Sequence, residues 1–245
     1  MKNLFIGKYL VIALCLLSVQ SLIAKDIYLS VNGADTNNGL SESGAVATLT
    51  KALSLIEDGD NIRVSGIIDV SKEVSGIEGV AIPQMAFSII GDSPSTSGFT
   101  GNGVTRIFNI DSNDKETQYK NLSFINGAQN QTKGSAVFIQ NSRSVFTNCL
   151  FKNNIAVSCK GTVYLYTPNQ VEFYDCIFTD NQVQQGGAVF SEMRGKLVMD
   201  RCMITNCNLQ SVANSNGGGL QILGIESFVL KNSTVRNCSV AQRGG

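Results

Sequence analysis

The chain has 245 residues, 43% of them hydrophobic, enough to bury a sizeable core. Its 19 basic and 19 acidic residues leave no formal net charge and form no Lys/Arg run able to neutralise a row of phosphates, which argues against nucleic acid as a partner. With 24 Gly, only 3 Pro and many Asn, the composition suits many short strands joined by turns and disfavours a helical bundle.

The N-terminus reads as a signal peptide over residues 1–24. Lys2 and Lys8 flank an apolar core from Tyr9 to Val19, and the small Ala24 offers a cleavage point, so that a mature chain starts near Lys25. The apolar stretch is shorter than the roughly 20 residues that span a bilayer, so no integral membrane span is expected after cleavage. Residues 25–75 read as an N-terminal cap with the entering coil. Ile27 to Val31 alternates as a strand and a polar Asn/Gly loop follows. Between Thr48 and Ile56 the apolar residues Leu49, Ala52, Leu53 and Ile56 lie on one helix face, with Gly59 beyond its end. Short strands are expected near Ile62–Val64, Ile67–Val70, Phe87–Ile90 and Arg106–Ile110. A helix over the first coil would shield an open stack of strand edges.

Residues 76–245 read as the coils of a solenoid, because a period emerges from Asn121 onward. The column Cys149, Cys176, Cys202, Ser233 advances by the same steps as the column Gly134, Gly161, Gly187, Gly218, with one longer step at the end of each. The longer step localises to one loop, 208–217, rich in Asn, Ser and Gly. Three strands per coil follow from alternation. The first carries Ala136/Val163/Val189/Leu220 and Phe138/Leu165/Ser191/Ile222. The second carries Val171/Leu197/Phe228 and Phe146/Phe173/Met199/Leu230. The third carries the Cys column and then Phe151/Phe178/Ile204/Val235. Asn148, Asp175, Arg201 and Asn232 fill the turn between second and third strands, where Asp175 and Arg201 are expected to form an exposed ion pair. Asn153, Asp180, Asn206 and Asn237 follow the third strand. These amides either bond from coil to coil or simply tolerate a tight bend.

Six Cys remain after leader removal, and their stacking favours buried, unreactive thiols; an oxidising compartment would nonetheless permit disulfides. The chain lacks His and any Cys-x-x-Cys pair, which disfavours zinc and excludes imidazole-based triads. Two carboxylates could still cleave a glycosidic bond, yet Glu172, Asp175, Asp180, Glu192 and Asp200 occupy five different columns. No catalytic, metal-binding or cofactor-binding residue is therefore assigned, and no cofactor is implied. One outward patch remains as a ligand-contact candidate: alternation turns Tyr164 and Phe190 outward in one column, with Tyr166 and Glu192 two residues along. Such a patch can stack on sugar rings or contact a protein; the competing reading is good strand formers covered by a loop.

Residues 25–70, with their strand, Asn/Asp/Gly loop, helix and Gly59-Asp-Asn-Ile-Arg-Val64, resemble the opening of secreted bacterial right-handed β-helix proteins of the Bacteroidetes type. Ile89-Ile-Gly91 through Asn109 is similar to their next coils. Gly186-Gly-Ala-Val189, with Phe151-Lys-Asn-Asn154 and Phe178-Thr-Asp-Asn181, is similar to the Gly-Gly-Ala-Ile and Phe-x-x-Asn pair of the chlamydial polymorphic outer-membrane protein repeat. The fourth coil departs from that pattern at Ile204-Thr-Asn-Cys207 and Gly218-Gly-Leu220. The expected architecture is thus all-β, a right-handed parallel β-helix whose coils repeat at the steps of the Cys and Gly columns, with a short N-terminal helix-containing cap. The resemblance implies an exported, adhesin-like passenger at the cell surface or outer membrane, contacting a surface glycan or a host or neighbour-cell protein. The alternative is a secreted polysaccharide lyase or glycoside hydrolase of the pectate-lyase-like β-helix class. Gly245 falls one further coil step after Gly218, where another coil should begin, so the chain is expected to be part of a longer array.

Overall fold

A computed structural model describes residues 24–111, 114–128, 133–155, 160–209 and 217–240. The leader, Cys159 and most of the expected 208–217 insertion lie outside the described residues. The chain winds as a parallel β-solenoid with three faces. Face 1 has six strands: Val80–Ile82, Phe108–Asp111, Val137–Gln140, Val163–Tyr166, Val189–Glu192 and Leu220–Leu223. Face 2 begins with Asp26–Ser30 and continues through Phe87–Gly91, Glu116–Lys120, Arg143–Thr147, Gln170–Tyr174, Lys196–Asp200 and Ser227–Lys231. Face 3 holds Ser97–Thr100, Ser123–Ile125, Leu150–Lys152, Ile177–Thr179, Met203–Thr205 and Thr234–Arg236. The strand Asn61–Asp69 serves both of these last faces. Its first half pairs with Phe87–Gly91 and its second with Ser97–Thr100, the bend falling at Gly66, whose φ of 88° suits a residue without Cβ.

Strand alternation sends every second side chain inward, and parallel registration stacks equivalents from coil to coil. On face 3, Phe151 pairs in register with Phe124, Phe178 with Phe151 and Ile204 with Phe178. The Phe124–Phe151 and Phe151–Phe178 rings are stacked with centroids 4.8 and 4.5 Å apart. Face 2 sends in a second file, Tyr119, Phe146 and Phe173, stacked at 4.6 and 5.0 Å. The two files meet edge to face, Phe173 lying 5.4 Å from Phe178 at 73°. Each such ring pair adds about 0.5–1.5 kcal/mol beyond the area it buries.

The coils turn at three corners, and from Asn121 onward the described coils place a residue of each corner in the left-handed region. Between faces 2 and 3 these are Asn121, Asn148, Asp175, Arg201 and Asn232; after face 3 they are Asn126, Asn153, Asp180, Asn206 and Asn237. Asn and Asp adopt this conformation at low cost. At most of these corners the residue that follows carries a side-chain donor; Leu122 and Gly127, which follow Asn121 and Asn126, do not. After the first of these corners, Cys149, Cys176 and Cys202 donate to the carbonyls of Tyr119, Phe146 and Phe173 at 3.4–3.5 Å. After the second, Asn154, Asn181, Cys207 and Cys238 donate to the carbonyls of Phe124, Phe151, Phe178 and Ile204. The amide ladder therefore runs one residue beyond the expected column. In the expected column Asn206 bonds Asp180 at 3.2 Å, and the residues share the turn conformation.

Face 1 requires a correction. Val163 pairs with Val137 and Val189, and Tyr164 with Phe138 and Phe190, so Ala136 and Phe138 are each one residue out of the expected columns. The spacing between the left-handed glycine and the strand is the cause: three residues lead from Gly134 to Val137, from Gly186 to Val189 and from Gly217 to Leu220 but two from Gly161 to Val163, and the amides of both Ala136 and Val137 accordingly donate to the Thr162 carbonyl, at 2.9 and 3.2 Å. The glycines that share positive φ are Gly134, Gly161, Gly186 and Gly217, rather than Gly187 and Gly218. Gly187 is needed for a different reason, since a Cβ there would lie 2.1 Å from the Gly218 carbonyl oxygen of the next coil.

At the N-terminal end, helix α1 (Leu49–Leu53) is capped by Thr48, whose side chain accepts from the Lys51 amide. It buries Leu49 and Ala52 in the same core as Ile27 and Leu29. Arg106, expected at the start of a strand, instead has a fully buried side chain. Its guanidinium donates to the carbonyls of Glu78, Lys133 and Gly134 and to the Glu78 carboxylate, joining three coils.

Candidate ligand groove

The third corner, from face 1 to face 2, differs from the other two. Its left-handed positions are Asn141, Thr167, Met193 and Gly224, with φ of 46, 47, 64 and 60°. Thr is β-branched and Met has no short polar group to bond locally, so these positions carry strain that Asn and Gly avoid, of order ~1–3 kcal/mol each. Arg194 and Gly195 also have positive φ, and their turn closes against Pro168, whose carbonyl lies where a Gly195 Cβ would sit. The corner bounds an open groove of about 770 Å³ lined by Asn141, Arg143, Thr167, Asn169, Arg194 and Glu226, among others.

The groove begins one residue beyond the patch expected from the sequence. Tyr166 and Glu192 are register partners at the end of face 1, and Thr167 and Met193 follow them directly. Alternation places Tyr164 and Phe190 outward as expected, with Phe138 continuing the column and centroids 5.4–5.5 Å apart. The rings do not present open faces, however. Phe190 is 1% exposed and Tyr164 6%. The left-handed glycines turn the incoming chain over them, a Cβ at Gly186 or Gly161 falling within 3.0 Å of the Phe190 Cβ. Lys133 and Lys160 lie over the Phe138 and Phe190 rings at 4.8 and 4.9 Å. Of the four expected contact residues, Tyr166 and Glu192 reach solvent. Glu192 accepts from the Tyr164 hydroxyl at 2.7 Å and faces the Lys160 ammonium at 3.3 Å. The Tyr164 hydrogen bond and then the Lys160 charge outweigh desolvation and hold its carboxyl below the ordinary range.

The remaining acids singled out in the sequence are each engaged. Glu172 accepts from the Tyr174 hydroxyl at 2.8 Å and from the Gln170 amide. Arg201 forms the expected exposed pair with Asp175 through two bonds of 2.7 and 2.9 Å, and it also reaches Asp200 at 2.8 Å, a contact that separate columns do not suggest. Cys149, Cys176, Cys202, Cys207 and Cys238 are free thiols. Among the described residues no cluster of three His, Cys, Asp or Glu is placed to hold a metal ion, and no helix is long and apolar enough to cross a membrane.

A family model described as a right handed beta helix region matches residues 106–245, more than half of the chain. The chain belongs to that family. No curated protein and no solved structure matches it. The matched part of the β-helix contains Arg106, both inward aromatic files from Tyr119 and Phe124 onward, and every residue that lines the groove. Sequence reasoning missed Arg143, Thr167 and Arg194 because no repeat column of familiar turn residues marks their corner. The equal steps from Asn141 to Thr167 and from Thr167 to Met193 were the available signal.

Proposed function

We propose that this right-handed β-helix is an exported protein of the cell surface or extracellular space, adhesin-like, that binds a glycan or a protein surface without catalysis. The groove at the corner of faces 1 and 2 carries the reading. It crosses several coils, as an extended ligand requires, and Tyr166 and Glu192 at its lip offer a ring and a carboxylate to sugar hydroxyls. Strained Thr167 and Met193 backbones at its floor fit a surface held in shape for contact.

Two features support export. Residues 1–24 have the flank, apolar core and small residue of a cleavable leader. In addition, the Lys25 backbone nitrogen lies 3.0 Å from Asp60 Oδ1, so cleavage after Ala24 would place a new α-ammonium against a nearly buried carboxylate.

A glycan array with the mature protein, alongside Tyr166→Ala, tests the binding reading. Retention on particular glycans that Tyr166→Ala weakens supports it, and a blank array with no protein ligand contradicts it. Release of reducing ends or unsaturated sugars from the same glycans would instead establish the lyase or hydrolase alternative.

A further inference from the structure

The inward column that follows face 3 changes chemistry along the chain. Asn154 and Asn181 occupy it in two successive coils and join them, the Asn154 backbone and side-chain nitrogens each donating to Asn181 Oδ1 at 3.0 Å. Cys207 and Cys238 occupy it in the next two coils. Their thiols reach the carbonyls of the coil before only weakly, at 3.7 and 4.0 Å. The two cysteines are nevertheless directly opposed. On one side of them Thr205 pairs in register with Arg236, and on the other the Ser239 hydroxyl donates to Asn208 Oδ1 at 2.8 Å. Residues opposed on neighbouring parallel strands stand about 4.8 Å apart, inside the span of about 4.4–6.8 Å between Cα atoms that a disulfide bridges. The Cys207 and Cys238 thiols also hydrogen-bond to one another. Two sulfurs thus stand where the coils before have two amides.

The other file of thiols is closed to reagents. Cys149, Cys176 and Cys202 are each 2% exposed or less, and the Ser233 hydroxyl covers the end of their file by accepting from the Cys202 amide at 2.9 Å. Cys238 is only half-buried and sits on the last described coil, whose strand Ser227–Lys231 is exposed throughout. The Cys207 hydrogen bond holds the Cys238 thiol down at about 6, so that thiolate, the form that attacks a disulfide, prevails at neutral pH. We infer that Cys207 and Cys238 are a redox pair that closes as a disulfide and staples the last described coil to the one before it. The free thiols described above are its reduced form. The Cys238 thiolate attacks one sulfur of an external small-molecule disulfide and releases the other half as a thiolate. Cys207 gives its proton to that thiolate, attacks the Cys238 sulfur and expels the second half. The pair loses two electrons, and the external disulfide leaves as two thiols. The proposed function enters only as the source of the oxidant, since an exported protein meets an oxidising compartment.

The test is to reduce the mature protein, free it of reductant, hold it in oxidised glutathione at neutral pH, quench it with acid and map its peptides by mass spectrometry. A linked Cys207–Cys238 peptide that dithiothreitol separates is the expected result. Amide exchange across Ser227–Lys231 should slow about tenfold or more in the oxidised form. Cys207→Ser should keep one glutathione on Cys238, because no second thiol displaces it, and Cys238→Ser should leave Cys207 unmodified. Linkage of a different pair overturns the inference. So does glutathione retained on Cys238 of the wild type, or a folded protein that keeps both thiols while its urea-unfolded form oxidises. Because the oxidant is added, a blank glycan array or an uncleaved leader leaves this result standing. Failure of the linkage likewise leaves the export and binding readings untouched, since each is read in its own assay.

Discussion

Replacing Asn181 with alanine should destabilise the protein far more than any change to the asparagines at the corners. Asn181 is completely buried. Its amide nitrogen donates to the Phe151 carbonyl at 3.0 Å, and its amide oxygen accepts from both the backbone and side-chain nitrogens of Asn154, each at 3.0 Å. Asn181→Ala therefore leaves three buried polar groups without partners: the Phe151 carbonyl, the Asn154 backbone N–H and one hydrogen of the Asn154 amide. The other hydrogen of that amide keeps the Phe124 carbonyl. At about 1–3 kcal/mol for each orphaned group, and taking the lower half of that range because water can enter the vacated space, the loss is about 3–6 kcal/mol. That is a large part of the stability of an ordinary domain. Asn206→Gly is the matched control. It removes the exposed bond to Asp180 and the 3.4 Å bond accepted from the Thr205 hydroxyl, and glycine tolerates the φ of 53°, so its cost should stay within about 1–2 kcal/mol. Urea unfolding followed by circular dichroism, with unchanged m, measures both, and amide exchange at Asn154 shows whether the damage is local. If Asn181→Ala costs no more than Asn206→Gly, the ladder does not hold the coils together as described.

Four further outcomes follow from the same geometry. Ser191 points into the core of face 1 with its hydroxyl buried and unpaired, so Ser191→Ala should raise stability by about 1 kcal/mol in the same urea assay. Gly187→Ala places a Cβ against the Gly218 carbonyl oxygen and should lower stability by at least about 2 kcal/mol, with its midpoint well below that of wild type. The hydrogen bond with Cys207 pulls the Cys238 thiol down to about 6, whereas burial and the Cys149 thiol raise Cys176 and the Cys238 contact raises Cys207. Iodoacetamide at pH 7, read by peptide mapping, should therefore label Cys238 and spare Cys149, Cys176, Cys202 and Cys207 until urea is added. Burial would raise the Asp60 carboxyl, but bonds from the Lys25 and Glu57 amides and the Lys25 ammonium outweigh it and lower it. A lowered carboxyl stabilises above about pH 4 and loses that contribution as pH falls through its folded value, so Asp60→Asn should be less stable than wild type at pH 7, with the gap closing in strong acid.

The face 2 and face 3 strands were legible because hydrophobic alternation and a constant step coincide there. Phe151, Phe178 and Ile204 recur at nearly equal steps, and no insertion between them changes the count. Face 1 was misread by one residue at Ala136 because the Gly161 coil is one residue shorter between its left-handed glycine and its strand, and Gly187 and Gly218, each one position after the left-handed glycine of its coil, hide the difference by matching that shorter spacing. The upstream strands Val80–Ile82, Ser97–Thr100 and Glu116–Lys120 were not anticipated. Glu116–Lys120 buries Thr117 and Tyr119, and Ser97–Thr100 buries Ser97, Gly98 and Phe99, patterns with too few apolar residues to stand out as a strand. The outward aromatic column was found, since period two fixes the side of the sheet. Its cover was not, because cover depends on glycine φ values that route the preceding loop over it. The groove was illegible for a related reason: Thr167 and Met193 occupy turn positions that sequence rules assign to Asn or Gly.

The central claim is that successive coils lie in register with one file of side chains up the interior. A crystal structure that resolves side chains tests it directly. The Phe124, Phe151 and Phe178 rings should stack in one file at the 4.8 and 4.5 Å separations given above, with Ile204 continuing the file. Any of these side chains on a different face, or Phe151 paired with a residue other than Phe124 and Phe178, would contradict it.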